Sequence, residues 1–208
     1  MTTFLLLRHG ETQWNAEGRL QGWRDSPLTA VGRSQADALP ARLAGEGVAA
    51  LVASDLGRAR ETAAPIAARL DLAVVPDPGL RERCYGVLEG KTWAEIERVH
   101  PEAYMRLNSR DQDFAVAEGE TGIQFRDRVL AAFDRLAAIH GEARVAVVTH
   151  GGVLGIVYRH ACEIPLEMPR TFSVPNAAFN RVRIEGRRWI VEAWADVDHL
   201  PVGVLDDT

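Results

Sequence analysis

Two short segments of the chain are continuously apolar, and each leads into a histidine that is followed by glycine. The first covers residues 4–7 and precedes His9, and the second covers residues 145–148 and precedes His150. Uninterrupted apolar runs of this length are typical of strands buried on both faces of a parallel sheet. Because ligands of such sheets bind beyond the carboxyl ends of the strands, the pattern predicts one site that contains both histidines.

Strand and helix patterns alternate along most of the chain. Further strands are predicted at residues 49–53, 73–75, 171–174, 179–184 and 188–194, the last two joined by a turn at residues 185–186. Helices are predicted to begin after an N-cap at Thr29, after Ser54 or Asp55, at a capping box formed by Thr121 and Gln124, and at Gly152. This order predicts an α/β fold, a three-layer α/β/α sandwich with a mostly parallel central sheet.

We expect a single domain over residues 1–208, because no linker or low-complexity segment divides the chain. Residues 83–120 have the poorest periodicity and are predicted to be an insertion that covers the site and its substrate. Residues 10–25 form a predicted polar loop that is long for a compact domain, which is typical of functional loops.

Composition excludes some classes of protein. The 208 residues are 47% hydrophobic with a formal net charge of -5, which argues against non-specific nucleic-acid binding because that needs a basic face. Cys84 and Cys162 lack the spacing of a zinc site, and reduced thiols are the simplest expectation. No apolar run approaches the roughly 20 residues that span a bilayer. We therefore expect a cytoplasmic protein with no nucleic-acid or membrane partner. Assembly into a homo-oligomer is possible.

Side chains that can bind or transfer a phosphate group follow the predicted strands or lie in the loops after them: Arg8, His9, Arg58, Glu82 and His150. Two arginines in one pocket favour phosphate, since the planar guanidinium binds its oxygens in pairs. The predicted helix after residue 151 adds the partial positive charge of its N-terminus. A neutral imidazole can attack phosphorus, with the arginines and His150 stabilising the charge. Glu82 is then the candidate general acid and, afterwards, the base that activates water.

Other interpretations compete with this one. Two histidines also suggest a metal site, but Arg8 beside His9 would repel a divalent ion, and zinc usually takes three or four ligands. Glu89 and Glu11 are alternatives to Glu82 as the acid. The remaining histidines have no partner at a meaningful spacing and are expected at the surface or in packing: His100, His140, His160 and His199.

Several short motifs occur in a fixed order along nearly the whole chain. They are residues 7–12 with Asn15, residues 20–23 and 25–29, residues 54–63, residues 80–90, and residues 149–152. Together they resemble the signature of the histidine phosphatase superfamily, which contains the cofactor-dependent phosphoglycerate mutases and related phosphatases. The Arg-His-Gly triplet alone would be a weak signal, whereas the ordered set is a strong one.

The resemblance implies a phosphoglycerate mutase-like fold and an enzyme that needs no metal or other cofactor. It implies that His9 is the phosphorylated nucleophile, that Arg8, Arg58 and His150 form the phosphate pocket, and that Glu82 donates the proton. It further implies substrate-phosphate contacts for Asn15, Gln21, Gly22 and Gly151. The expected partner is a small phosphorylated metabolite.

The resemblance favours a phosphomonoesterase over a phosphoglycerate mutase. Gln21 and Gly152 are typical of the phosphatase branch, where mutases carry a small hydroxyl residue and asparagine. A mutase also needs a second anion subsite, and the separated Arg106 and Arg110 do not form the paired-arginine segment typical of mutases. An inactive binding module of the same fold is a further alternative, which the complete set of five chemical side chains disfavours.

Overall fold

The structure, a computed structural model, describes residues 1–200. Within that range a single six-stranded sheet is formed by β1 Thr2–Arg8, β2 Val48–Ala53, β3 Val74–Pro76, β4 Arg144–Thr149, β5 Phe179–Glu185 and β6 Arg188–Asp196. The helices are α1 Gln13–Ala16, α2 Ala30–Leu43, α3 Gly57–Leu70, α4 Trp93–Val99, α5 Pro101–Asn108, α6 Gly122–His140 and α7 Gly151–Ala161. Short 3-10 turns occur at Pro78–Leu80 and Gly86–Leu88.

The strand order is β3-β2-β4-β1-β5-β6. β1 pairs in parallel with β4, β4 with β2, and β2 with β3, while β5 and β6 add an antiparallel edge. The predicted three-layer α/β fold with a mostly parallel sheet is therefore confirmed. In the central pairing Arg8 lies opposite Thr149, so the residues that follow the two strands leave the sheet side by side.

Each face of the sheet carries its own apolar core, as the continuous apolar runs require. In β1, Phe4 and Leu6 pack into one core with α6 and α7, whereas Leu5 and Leu7 pack into the other with α2 and α3. All four side chains are fully buried. The sheet is consequently covered by helices on both faces, and its open edge at the strand ends is where a ligand has room to bind.

Some of the predicted helix N-caps occur in the structure and others do not. The predicted caps at Thr29 and Thr121 are confirmed, the latter as a reciprocal capping box with Gln124. The expected cap of α3 by Ser54 or Asp55 is wrong. The carboxylate of Asp25 instead accepts the backbone N–H groups of the first turn, because the loop before α2 folds against this helix.

The strand predicted at residues 171–174 is also absent. The Val174 carbonyl accepts a hydrogen bond from the Arg8 guanidinium at 2.7 Å, and the Ser173 carbonyl accepts one from the Trp194 indole at 2.8 Å. Long side chains satisfy this backbone in place of a neighbouring strand, so the segment forms a loop that passes Arg8. Among the helices of residues 1–200, none has the length and apolarity to cross a membrane.

Candidate active site

The pairing of β1 with β4 brings His9 and His150 together. Their ring centroids are 5.2 Å apart, and the His9 backbone N–H donates to the Thr149 carbonyl at 2.9 Å, which extends the ladder by one residue. His9 is 2% exposed and His150 is fully buried. The structure thus places the two predicted histidines at one site although they come from opposite ends of the sequence.

One hydrogen bond determines which nitrogen of His9 is available. Nδ1 lies 2.8 Å from the Gly10 carbonyl oxygen. A carbonyl can only accept, so Nδ1 carries the proton and Nε2 of the neutral ring keeps its lone pair. The backbone is held as well, since the His9 carbonyl accepts from the Asn176 side chain at 3.0 Å and the Ala177 N–H at 3.3 Å.

Burial and nearby cations keep this imidazole neutral. Desolvation is the main cause that lowers the pKa of His9 well below its ordinary value of 6.5, and the charges of Arg58 and Arg8 lower it further. The hydrogen bond to Gly10 opposes them. Burial also lowers the pKa of His150, again with Arg58 as the largest charge. At neutral pH the site therefore presents two neutral imidazoles beside two fixed positive charges.

His150 is positioned by a serine that sequence reasoning assigned to another role. Its Nε2 lies 2.8 Å from Oγ of Ser54, which is fully buried. The other ring nitrogen, Nδ1, is buried and has no hydrogen-bond partner in residues 1–200. The signal for Ser54 was its place directly after β2, since β2 is the parallel neighbour of β4. A buried donor or acceptor without a partner suits a site that receives a polar ligand.

The two predicted arginines are both buried, at 3% exposed for Arg8 and 2% for Arg58. Arg58 does more than add charge to the site. Its terminal nitrogens donate to the Gly22 carbonyl at 2.8 Å and the Arg24 carbonyl at 2.9 Å, and it pairs with Asp25 at 3.0 Å. Arg58 therefore holds the end of the polar loop of residues 10–25 against the site, while its Nε remains without a partner in the described residues.

Glu82 lies against the N-terminus of α7. One carboxylate oxygen accepts the Gly152 N–H at 2.8 Å and the other accepts the Arg83 N–H at 2.8 Å. A Cβ atom on residue 152 would lie 2.0 Å from the Glu82 carboxylate, so this close approach requires glycine. The close approach of the Glu82 carboxylate is therefore a structural reason for glycine at position 152.

The predicted side chains share a cavity of about 660 Å³. Its lining includes eight of the nine predicted site residues: Arg8, His9, Asn15, Gln21, Gly22, Arg58, Glu82 and Gly151. His150 is not among the lining residues, and its ring centroid lies 5.2 Å from that of His9. Trp14, Tyr85 and Trp93 also line the cavity, and burial raises the pKa of Tyr85 to about 12, so its hydroxyl keeps its proton.

The alternative acids have other contacts. Glu89 is 5% exposed, and its carboxylate accepts the backbone N–H groups of Trp23, Arg24 and Tyr85, which joins two loops. Glu11 accepts the Thr29 hydroxyl at 2.6 Å. Glu82 is the one carboxylate among the lining residues of the part of the chain that the structure describes. Over the same residues, no cluster of three or more His, Cys, Asp or Glu side chains is placed to hold a metal ion.

Known proteins resemble this chain in both sequence and structure. Residues 4–197 match the family model for the histidine phosphatase superfamily, branch 1. The chain is 40% identical, over 99% of its length and 86% of the relative's, to a metal-independent phosphoserine phosphatase of Arabidopsis thaliana. It is 34% identical, over 100% and 99% of the two lengths, to a probable phosphoglycerate mutase, GpmB, of Yersinia enterocolitica. The structure of Bacillus stearothermophilus YhfR matches with a TM-score of 0.87 and 34% identity, covering 96% of this chain and 99% of that one.

The chain belongs to the histidine phosphatase superfamily, as its motifs indicated. Relatives named as phosphatases occur both among the similar sequences and among the similar structures, and the protein is an enzyme of this phosphatase class.

Replacing Gly152 by alanine tests the position of Glu82. The added methyl group would displace the carboxylate, and we expect the phosphatase kcat to fall about 100-fold, the effect of roughly 1 Å of misplacement. His160→Ala is the control in α7, because it changes an exposed side chain that does not line the cavity. Steady-state kinetics of both variants measure the effect. An equal loss of activity in the two variants would contradict the role given to the position of Glu82.

The lowered pKa of His9 also predicts a pH dependence of stability. Below pH 6.5 the unfolded chain takes up a proton on His9 while the folded chain does not, so this residue's contribution to stability decreases as the pH falls. The decrease is at most about 1.4 kcal/mol per pH unit. Urea unfolding of wild type and His9→Asn at several pH values measures it, and the variant should gain relative to wild type towards pH 5. A difference independent of pH would contradict the assignment.

Proposed function

We propose that the protein is a phosphomonoesterase that hydrolyses small phosphate esters through a phosphohistidine intermediate at His9. The observation that carries the proposal is the hydrogen bond from Nδ1 to the Gly10 carbonyl, which leaves Nε2 of a neutral, buried imidazole as the nucleophile. The names of the related phosphatases support the reaction class.

In the first step Nε2 attacks phosphorus and the bond from phosphorus to the ester oxygen breaks. Glu82, acting as the general acid, gives a proton to the leaving oxygen, so an alcohol departs. In the second step the Glu82 carboxylate takes a proton from water, the water oxygen attacks phosphorus, and the bond from phosphorus to Nε2 breaks. Inorganic phosphate is released, and His9 returns to its neutral form.

The charge on the phosphoryl group in transit is stabilised by fixed groups. Arg8 lies beside the nucleophile, and Arg58 adds a second buried charge. Nδ1 of His150, which has no partner in the described residues, donates to a phosphoryl oxygen in the tautomer whose Nε2 accepts from the Ser54 hydroxyl. The N-terminus of α7 contributes partial positive charge at the same place. Such preorganised donors need no rearrangement during the reaction, which is the source of their catalytic effect. Under this proposal no metal or other cofactor takes part.

A phosphoglycerate mutase is the second candidate, and one observation favours it. Sequence reasoning found no second anion subsite, whereas the structure places Arg110, Arg159 and Arg170 along the same cavity. A bound molecule with two anionic groups could reorient in the cavity and accept the phosphoryl group at another of its oxygens. The proposed insertion over residues 83–120 contributes to this cavity through Tyr85, Trp93 and Arg110.

Trapping the intermediate tests the nucleophile. Rapid quench with a labelled aryl phosphate should yield an acid-labile phosphoenzyme, because a phosphorus–nitrogen bond hydrolyses in acid. His9→Ala should yield none and should lower kcat by about 1,000-fold or more. His160→Ala, which changes an exposed histidine at the end of α7, should behave like wild type. A near-wild-type rate for His9→Ala would rule out the mechanism.

The dependence on leaving group tests Glu82. Glu82→Gln should lower kcat about 100-fold for an alkyl phosphate, whose leaving alkoxide needs a proton. For p-nitrophenyl phosphate the effect should be under about tenfold in the phosphorylation step, because this leaving group departs unprotonated. Pre-steady-state rates with both esters measure the contrast. An equal loss with both would mean that Glu82 is not the acid.

A further inference from the structure

Residues 79–82, which end at the proposed general acid Glu82, lie outside the strands, and side chains satisfy their backbone. The carbonyl of each residue in this segment accepts a hydrogen bond from a side chain. The Thr149 hydroxyl donates to the Leu80 carbonyl at 2.9 Å, and Arg128 of α6 donates to the other three. A backbone segment without a ladder takes its position from the groups that bind it. The position of Glu82 therefore depends on Arg128.

Arg128 uses its whole guanidinium in these contacts. Nη1 donates to the Gly79 carbonyl at 3.0 Å and the Arg81 carbonyl at 2.9 Å, and Nη2 donates to the Glu82 carbonyl at 3.1 Å. Nη2 and Nε also donate to the two carboxylate oxygens of Glu120. Each N–H group of the guanidinium thus has an acceptor, and the planar fork sets the directions of all of them. A lysine has a single nitrogen with three donors, so it could not make the same set of bonds.

Glu120 holds the chain on the other side of Glu82. Its carboxylate accepts the Cys84 N–H at 2.9 Å, and its backbone N–H donates to the Cys84 carbonyl at 3.0 Å. The Glu82 carbonyl itself accepts from the Trp23 indole at 2.8 Å as well as from Arg128, so both of its lone pairs are used. The backbone is therefore fixed before, at and after the proposed general acid.

Arg128 acts on the site from outside the cavity. Among the described residues, Glu82 lines the cavity and Arg128 does not. The Arg128 side chain is 22% exposed and that of Glu120 is 14% exposed, so their ion pair is partly shielded from water. Burial lowers the pKa of His150, and the charge of Arg128 is one of those that lower it further. Arg128 therefore influences the site by its charge and by its hold on Glu82, and different variants separate the two effects.

We propose that Arg128 is a positioning residue which, together with Glu120, holds the Glu82 carboxylate where it transfers the proton. The proposal rests on the proposed function for the role of Glu82, and on the hydrogen bonds of Arg128 for its placement. The carboxylate accepts the Gly152 N–H at 2.8 Å, and a shift of residues 79–82 would move it away from that group. Roughly 1 Å of misplacement costs about 100-fold in rate.

The leaving-group dependence of two variants tests this placement. Arg128→Met removes the charge and the fork, whereas Arg128→Lys removes only the fork. Both should lower kcat for an alkyl phosphate about 100-fold with little change in KM, because Arg128 does not line the cavity. With p-nitrophenyl phosphate the phosphorylation rate should fall less than about tenfold, since this leaving group needs no proton. Arg126→Met, which removes an α6 arginine that pairs with Asp127, is the control and should behave like wild type.

A double variant tests whether Arg128 acts through Glu82. In a Glu82→Gln background, Arg128→Met should change kcat for the alkyl phosphate by less than about threefold, because the two changes affect the same group and are not additive. Multiplicative losses in the double variant would overturn the proposal. Wild-type rates in Arg128→Lys would also overturn it, since charge alone would then be sufficient. Urea unfolding establishes that each variant is folded, and Arg128→Lys replaces Arg128→Met throughout if the latter does not fold.

A spectroscopic measurement separates the placement of Glu82 from its role. The Gly152 amide donates to the Glu82 carboxylate, so its proton resonance reports that contact. In Arg128→Met the Gly152 resonance should move towards its position in Glu82→Ala, and in Arg126→Met it should stay unchanged. An unchanged resonance in Arg128→Met would overturn the proposal. A shifted resonance supports the placement even if Glu82→Gln shows no leaving-group contrast, and in that case only the proposed role of Glu82 fails.

Discussion

The site depends on one constraint, which is that an imidazole must stay neutral and correctly protonated while buried beside two arginines. The Gly10 carbonyl fixes the proton on Nδ1 of His9, and burial together with Arg8 and Arg58 disfavours a second proton. The fold meets this requirement through the parallel pairing of β1 and β4, whose ends deliver His9 and His150 to one point. Most other contacts of the site hold these two histidines and the loops around them in place.

Buried polar groups hold the surrounding loops together. Arg58 donates to two carbonyls of the loop after Gln21, and Glu89 accepts three backbone N–H groups across two loops. Helix α7 then links the two ends of the cavity. The Gly152 N–H in its first turn binds Glu82, and its last turns carry Arg159.

Much of this arrangement could be predicted from local patterns. The apolar runs in β1 and β4, the caps at Thr29 and Thr121 and the ordered motifs depend on residues that are close in sequence. The features that could not be predicted depend on contacts across the chain. Asp25 caps a helix 32 residues away, Ser54 bonds to a histidine 96 residues away, and Arg8 binds the Val174 carbonyl 166 residues away.

The central claim is that His9 is a neutral imidazole with its proton on Nδ1, and nuclear magnetic resonance can observe this directly. Long-range nitrogen–proton correlation spectra of protein labelled with ¹⁵N-histidine distinguish the two neutral tautomers from the imidazolium, and a His9→Asn spectrum assigns the signal. Near pH 7 the spectra should show His9 as the Nδ1–H tautomer, unchanged down to a pH well below 6.5. An imidazolium at pH 7, or the Nε2–H tautomer, would contradict the account, because neither leaves Nε2 free to attack phosphorus.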